Sequence, residues 1–284
     1  MSQTYARSDG QIVSPDPSPT PVENYAPAER RPRRREYGDW DPRSAPGTYL
    51  LVGINCAVFL WMVTHGVSPS SPTSSDLIRF GANRADLVLH GQWYRLLTAT
   101  FVHVGLLHLA TNMWCLWNLG MLGEPLIGPM GLIAVYMLTG VAGNLLSMGS
   151  NVVDYFRTGD QQVLAIPGAG ASGAVFGIAG LLIVLLSNRK LPFAWNDLKQ
   201  LRRRVVQFAI ANFVIGAVAN QLPIGIAIDN YAHMGGFLSG LALGAPLVPT
   251  MTAGRERYLG RQKVVFAVAC FLLALIGYWI ANLR

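Results

Sequence analysis

Charge is what this chain has least of. Only 13% of its 284 residues are Asp, Glu, Lys or Arg, while 51% are hydrophobic; globular chains carry roughly 25% charged residues. That deficit argues against a soluble globular protein and for a chain with several membrane spans. Cysteine is also scarce. Cys56, Cys115 and Cys270 are odd in number, far apart and each inside an apolar segment, which excludes a disulfide framework or a zinc ribbon. There is no His-Glu-x-x-His, so a zinc-protease reading lacks its base. The soluble hydrolase elbow Gly-x-Ser-x-Gly is missing as well, because Ala174 stands at its last glycine. The formal net charge of +7 does not imply nucleic acid, since the arginines cluster beside apolar segments, where membrane orientation accounts for them. No apolar core of signal-peptide type precedes the run Arg30, Arg31, Arg33, Arg34 and Arg35, so no secretory leader is expected.

What is present divides the chain into three parts. Residues 1–46, rich in Pro, Ser and charge, read as a disordered cytoplasmic tail whose basic run is a topology anchor that touches anionic lipid. Seven apolar segments follow at roughly 48–65, 98–121, 130–149, 170–187, 205–222, 231–249 and 264–282, each near the ~20 residues a bilayer requires. The first six make a core over 48–249; residues 250–284 add a cytoplasmic linker and a seventh helix. The fold class expected is therefore all-α, a polytopic membrane helix bundle of six helices plus one. With the N-terminus in the cytoplasm, the loops holding Arg189, Lys190, Lys199, Arg202, Arg203 and Arg204, and then Arg255, Arg257, Arg261 and Lys263, both fall inside. That satisfies the positive-inside rule and puts the C-terminus outside. The connection from about 66 to 97 is long and apolar, with Leu77, Phe80, Val88, Trp93 and Tyr94. Short helices lying in the outer interface are expected there.

Polar residues within such segments are costly and usually functional. Ser172 opens the fourth span in Gly170-Ala171-Ser172-Gly173, His233 opens the sixth, and His103, His108 and Asn112 lie in the second. All three spans start on the outer side, so these groups would meet at similar depth. Ser172 is the candidate nucleophile and His233 its base. His108 and Asn112, spaced i, i+4, share a helix face and carry N–H donors for an oxyanion. The Ser172 amide and the dipole of its helix would add to them. Gly170 admits a backbone angle closed to other residues and, with the small Ala171 and Gly173, lets a substrate approach. Glycines recur at 236, 240 and 244, and again at 173, 177 and 180. Two such ridges facing each other would bring the imidazole to the hydroxyl, hydrogen-bonded in a small wet cavity. Phe176, one turn after Ser172, would stack on that imidazole, since no aspartate within the span is placed to orient it; with Gly170 and His103 it is also expected to line the access for substrate or water.

Other readings of the same residues stay open. A serine in a membrane helix often only bonds back to its own backbone. His103 could cap or brace the outer loop instead of lining a path for water. His103, His108 and His233 could hold a metal ion. A transporter would need internal repeats and charged midplane residues, and neither is evident.

These residues resemble the rhomboid family of intramembrane serine proteases. Gly170-x-Ser172-Gly173 with Phe176 is similar to the family's nucleophile motif. His103-x4-His108-x3-Asn112 is similar to its second-span pattern, Ala232-His233 with Gly236 and Gly240 to its histidine segment, and Glu124-x3-Gly128 to the motif after the second span. The resemblance covers about 48–249, and the seventh span fits the six-plus-one variant. It implies a Ser172–His233 dyad with no third acid and no cofactor or metal. It also implies oxyanion donation by His108, Asn112 and the Ser172 amide. The outer loop would be membrane-embedded and braced by Arg95; the family's Trp-Arg pair reads Trp93-Tyr94-Arg95 here, so the brace is expected to use Tyr94. The implied substrates are single-span membrane proteins cut near the outer leaflet of a cell membrane. Leu222-Pro223-Ile224-Gly225-Ile226 would be a mobile cap over the site, with the fifth span as gate. The competing reading is a catalytically inactive relative that binds membrane clients.

Overall fold

The computed structural model describes residues 45–221 and 228–283. The N-terminal tail and the proposed cap at 222–226 lie outside the described residues. Within them, nine helices and no named strand are present, the sole β-bridge being Asn83 with Gly168.

Helix α1, Pro46–Thr64, starts at a proline, whose missing N–H costs nothing at a first helical position. The other orphan donors of that turn are met by a carboxylate from elsewhere. Buried Glu124 accepts from the Gly47 and Thr48 N–H groups at 2.8 and 2.7 Å and from the Thr48 hydroxyl at 2.7 Å. Farther along α1, Asn55 donates to the Tyr136 hydroxyl at 3.0 Å, which donates to the Thr100 carbonyl at 2.9 Å. Each polar group buried by this helix thus has its partner, as a low-dielectric interior demands.

The outer connection folds as α2 (Ser74–Arg79), α3 (Ala85–Leu89) and α4 (Arg95–Thr98). Arg95 is nearly buried. Its guanidinium donates to the Ile78 and Ala82 carbonyls at 2.8 and 3.0 Å and to the Gln92 amide oxygen at 2.7 Å, and it lies 5.5 Å from the centre of the Tyr94 ring. Trp93 faces the other way, onto the last turns of the seventh apolar helix, where a Cβ on Gly277 would come within 3.2 Å of its ring.

The second and third expected spans form one helical run, α5, Leu106–Thr158, broken at Gly128 by φ +75. The second span therefore starts eight residues later than the expected 98. Gly105, at φ +133, and the bond from Leu106 N–H to the Pro69 carbonyl set its start. His108 and Asn112 accordingly sit in the first two turns of the helix. Only glycine adopts the angle at 128 without strain, and Pro125 and Pro129 flank it, so the run doubles back there. The Ile127 carbonyl left free by the break accepts from the Gln262 amide at 3.0 Å.

Helix α6, Ser172–Leu185, carries the serine, and α7, Trp195–Ala219, returns along the bundle. Helix α7 begins ten residues before the expected 205, because Lys199, Arg202, Arg203 and Arg204 are good helix formers whose charges stay exposed at the bundle end. Helix α8, Asn230–Gly244, carries the histidine and stops ahead of Pro246 rather than at 249. Helix α9, Arg255–Ala281, likewise starts early, in its charged segment. Helices α1, α5 and α9 are long and apolar enough to cross a membrane, and α6 is a shorter apolar helix. Most of α9 is exposed, with Val264, Val268, Phe271, Leu272, Leu275 and Ile276 facing outward, as suits a helix in contact with lipid.

The centre of the bundle is α6, enclosed by α5 and α8. Glycine makes that possible. A Cβ at Gly236 would overlap the Gly173 carbonyl, one at Gly240 the Gly177 carbonyl, and one at Gly180 the Phe237 carbonyl. Gly140, Gly143 and Gly177 allow the same closeness between α5 and its neighbours. Matching residues rise together on α6 and α8, so the two helices run parallel.

Candidate active site

Three helices begin at the same end of the bundle, and each carries one of the candidate site residues in its first turn. Ser172 is the first residue of α6, His108 the third of α5 and His233 the fourth of α8. As the first helical residue, Ser172 has an N–H with no intrahelical acceptor, as do the next donors along the turn. Gly170 enters this turn at φ +134, with its N–H bonded to the Ala99 carbonyl at 2.9 Å. A Cβ there would lie 2.6 Å from His108 Cε1 and 3.1 Å from Nε2, so the His108 ring lies directly against the Gly170 backbone.

The tautomers of two histidines follow from their partners. The Val104 N–H points to His108 Nδ1 at 3.4 Å, which leaves Nε2 to carry the proton on the side facing Gly170. His103 is fully buried: Nδ1 lies 3.2 Å from the Phe101 carbonyl and Nε2 accepts from the Ala171 N–H at 3.4 Å. Both nitrogens are thus engaged, and His103 ties the outer loop to the residue before Ser172 instead of lining an approach for substrate or water. Asn112 spends one amide N–H on the His108 carbonyl, at 2.8 Å, and keeps its second.

His233 is 8% exposed and stacks on Phe176, with ring centroids 4.4 Å apart and planes 20° from parallel. Phe213 of α7 closes on both rings, at 4.6 and 6.3 Å. Phe176 is therefore a buried platform for the imidazole and does not line an access path. His233 Nδ1 is buried without a hydrogen-bond partner. The hydrogen bond expected between the Ser172 hydroxyl and His233 is not formed among the described residues, although Gly173 lies against the Ala232 carbonyl at 3.3 Å from its would-be Cβ. No group of three or more His, Cys, Asp or Glu among the described residues is arranged to hold a metal ion; the three histidines considered for one are turned to the separate partners just described.

Sequence reasoning overlooked several polar residues around the site. Asp229 caps α8, its carboxylate accepting from the Ala232 N–H at 2.9 Å and from the Ser147 hydroxyl at 2.5 Å. Asn144 donates to the Leu96 carbonyl at 2.8 Å, and Asn83 to the Asn144 carbonyl at 3.0 Å. An aspartate directly before an apolar helix is a known N-cap signal, so Asp229 was findable. The two asparagines and Ser147 carry no such signal.

The fold and this end of the bundle define a multi-pass helical membrane protein with serine and histidine in the first turns of glycine-packed parallel helices. The Rhomboid domain family matches residues 90–250, more than half of the chain. The chain is 31% identical over 211 residues to the rhomboid protease AarA of Providencia stuartii, covering 71% of this chain and 73% of that protein. It is 32% identical over 228 residues to the rhomboid protease GluP of Bacillus subtilis, covering 79% of this chain but 39% of that one. It is 30% identical over 177 residues to the rhomboid-type serine protease 2 of Emericella nidulans, covering 62% and 31%. The chain thus spans about two fifths of GluP and three quarters of AarA, and it belongs to the rhomboid family.

Proposed function

We propose that this chain is an intramembrane serine endopeptidase that cuts transmembrane segments of single-span proteins near the outer leaflet. The observation that supports the reading is the glycine seam between α6 and α8, along which His233 stacks on Phe176, the residue one turn after Ser172 on α6. His233 removes the Ser172 proton as the hydroxyl attacks the scissile carbonyl. An acyl-enzyme forms, the protonated imidazole gives its proton to the leaving amine, and water then releases the acyl group. The hydrogen bond between hydroxyl and imidazole forms once substrate is seated, as catalytic hydrogen bonds that are long or misaligned in apo enzymes do. His108 Nε2–H, the free Asn112 N–H and the Ser172 amide receive the negative charge that develops on the carbonyl oxygen, beside the positive end of α6. The bare Gly170 backbone is where an extended substrate strand approaches. The six-span core over 48–249 holds this machinery, the N-terminus faces the cytoplasm and the C-terminus the outside.

The test is cleavage of a membrane-segment substrate in liposomes. Ser172→Ala and His233→Ala are each expected to abolish it, whereas His108→Ala and Asn112→Ala should lower kcat by about 10- to 1000-fold. Wild-type cleavage by either of the first two would exclude the dyad. A fluorophosphonate that labels Ser172 separates an active protease from a client-binding relative, which would leave the serine unmodified.

A further inference from the structure

The His233 imidazole has no hydrogen-bonded orienter on Nδ1, so its position depends on the stack with Phe176 and on whatever holds its stretch of helix. That stretch is the first turn of α8, where main-chain donors lack intrahelical acceptors and helices fray first. Asp229 anchors the turn twice. Its carboxylate accepts from the Ala232 N–H at 2.9 Å, and its carbonyl accepts from the His233 N–H at 3.1 Å. The other carboxylate oxygen reaches across to α5 and accepts a hydrogen bond from the Ser147 hydroxyl at 2.5 Å. One turn earlier on α5, Asn144 holds the outer loop through Leu96 and Asn83. Asn83 then exchanges both backbone bonds with Gly168, at 2.8 and 2.7 Å, four residues ahead of Ser172. A Cβ on Gly168 would come within 3.4 Å of the same Asp229 oxygen. One carboxylate therefore stands where the start of the histidine helix, the α5 polar face and the approach to the serine converge.

We infer that Asp229 is a positioning residue: with Ser147, it fixes the depth and rotation of the first turn of α8 so that the imidazole meets the Ser172 hydroxyl. It acts through the backbone. Both carboxylate oxygens are occupied, and the imidazole gives neither of them a hydrogen bond, so Asp229 is not the acid of a triad. This inference rests on the Ser172–His233 reading.

The experiment measures kcat, KM, the rate of Ser172 labelling by a fluorophosphonate, and Tm for the full chain in liposomes, with Ser172→Ala and His233→Ala in parallel. Asp229→Ala should lower kcat and the labelling rate by at least about tenfold while KM stays within about twofold. Asp229→Asn keeps an oxygen for the Ala232 N–H and an amide N–H for the Ser147 oxygen, so it should recover to within about threefold of wild type. Ser147→Ala retains the cap but loses the tether, and should lower kcat about three- to tenfold. A reduced Tm with kcat and labelling unchanged in Asp229→Ala would reduce the residue to a structural cap and overturn the inference. If Asp229→Ala does not fold, the other two variants decide, and wild-type kcat in Ser147→Ala overturns it. Inactive Ser172→Ala and His233→Ala beside a fully active Asp229→Ala sink this inference alone. Cleavage by either dyad variant sinks the underlying reading.

Discussion

Gly170 owes its importance to an absent side chain. Its φ of +134 is closed to other residues without strain of about 1–3 kcal/mol, and a methyl group there would press on the His108 ring. Gly170→Ala should therefore act on chemistry more than on folding. It should cut kcat by about 100-fold, as loss of an oxyanion donor does, with a much smaller effect on thermal unfolding; cleavage and melting of the same preparation check this. A variant with wild-type kcat would show that the ring and the glycine backbone need not touch. The unusual backbone angle at Gly170 was legible in sequence, as a glycine at the entry to a helix; its contact with the His108 ring was not. The stack of Phe176 on His233 was legible too, one turn after the serine. The role of His103 was less so: residue type gives its chemistry, but only the fold shows that it uses both ring nitrogens on the backbone of its neighbours.

Between elements, close approach is decided by pairs of glycines whose partners are far apart in sequence. The every-fourth spacing of Gly236, Gly240 and Gly244 marks a smooth ridge. Which ridge it meets is fixed by contact, Gly236 with the Gly173 carbonyl and Gly240 with the Gly177 carbonyl. Overpacking a tight core costs about 1–3 kcal/mol, and more where the obstacle is backbone. Gly240→Val should lower Tm strongly and abolish cleavage, although it touches no proposed catalytic group. Gly260→Ala, in α9 where an added Cβ meets nothing within 4 Å, should be neutral or slightly stabilising, because Ala is the better helix former by ~1 kcal/mol. Equal losses in the two variants would mean that glycine content, not the seam, matters. The second and third spans were legible as apolar stretches, but the turn between them was not. Sequence left a gap at 122–129, where the chain stays helical up to a single break at Gly128 whose freed carbonyl is met by Gln262 on a distant helix.

For the whole molecule, orientation follows from charge, and the site follows from orientation. The exposed Lys199, Arg202, Arg203 and Arg204 begin α7 at the end of the bundle opposite Ser172 and His233. Positive residues are retained on the cytoplasmic side, so the orientation we propose puts the site near the outer leaflet. With Cys56, Cys115 and Cys270 replaced, a single cysteine from Ser75→Cys on α2 should react with a membrane-impermeant maleimide in intact cells. One from Arg203→Cys should react only after permeabilisation. The reverse pattern would place the site at the inner leaflet.

Composition and periodicity settled the membrane class, the apolar segments and the glycine ridges, because each depends on residue type summed over a local stretch of chain. The polar residues proposed for the site were also picked out locally, since serine, histidine and asparagine are expensive in lipid wherever they occur. Tertiary structure alone decided which ridges mesh, where α5 turns, and that Glu124, Asn144, Ser147 and Asp229 find their partners across the bundle. Those contacts join residues tens of positions apart, and no local spacing encodes them; they exist only once a water-poor interior obliges every buried donor and acceptor to find its match.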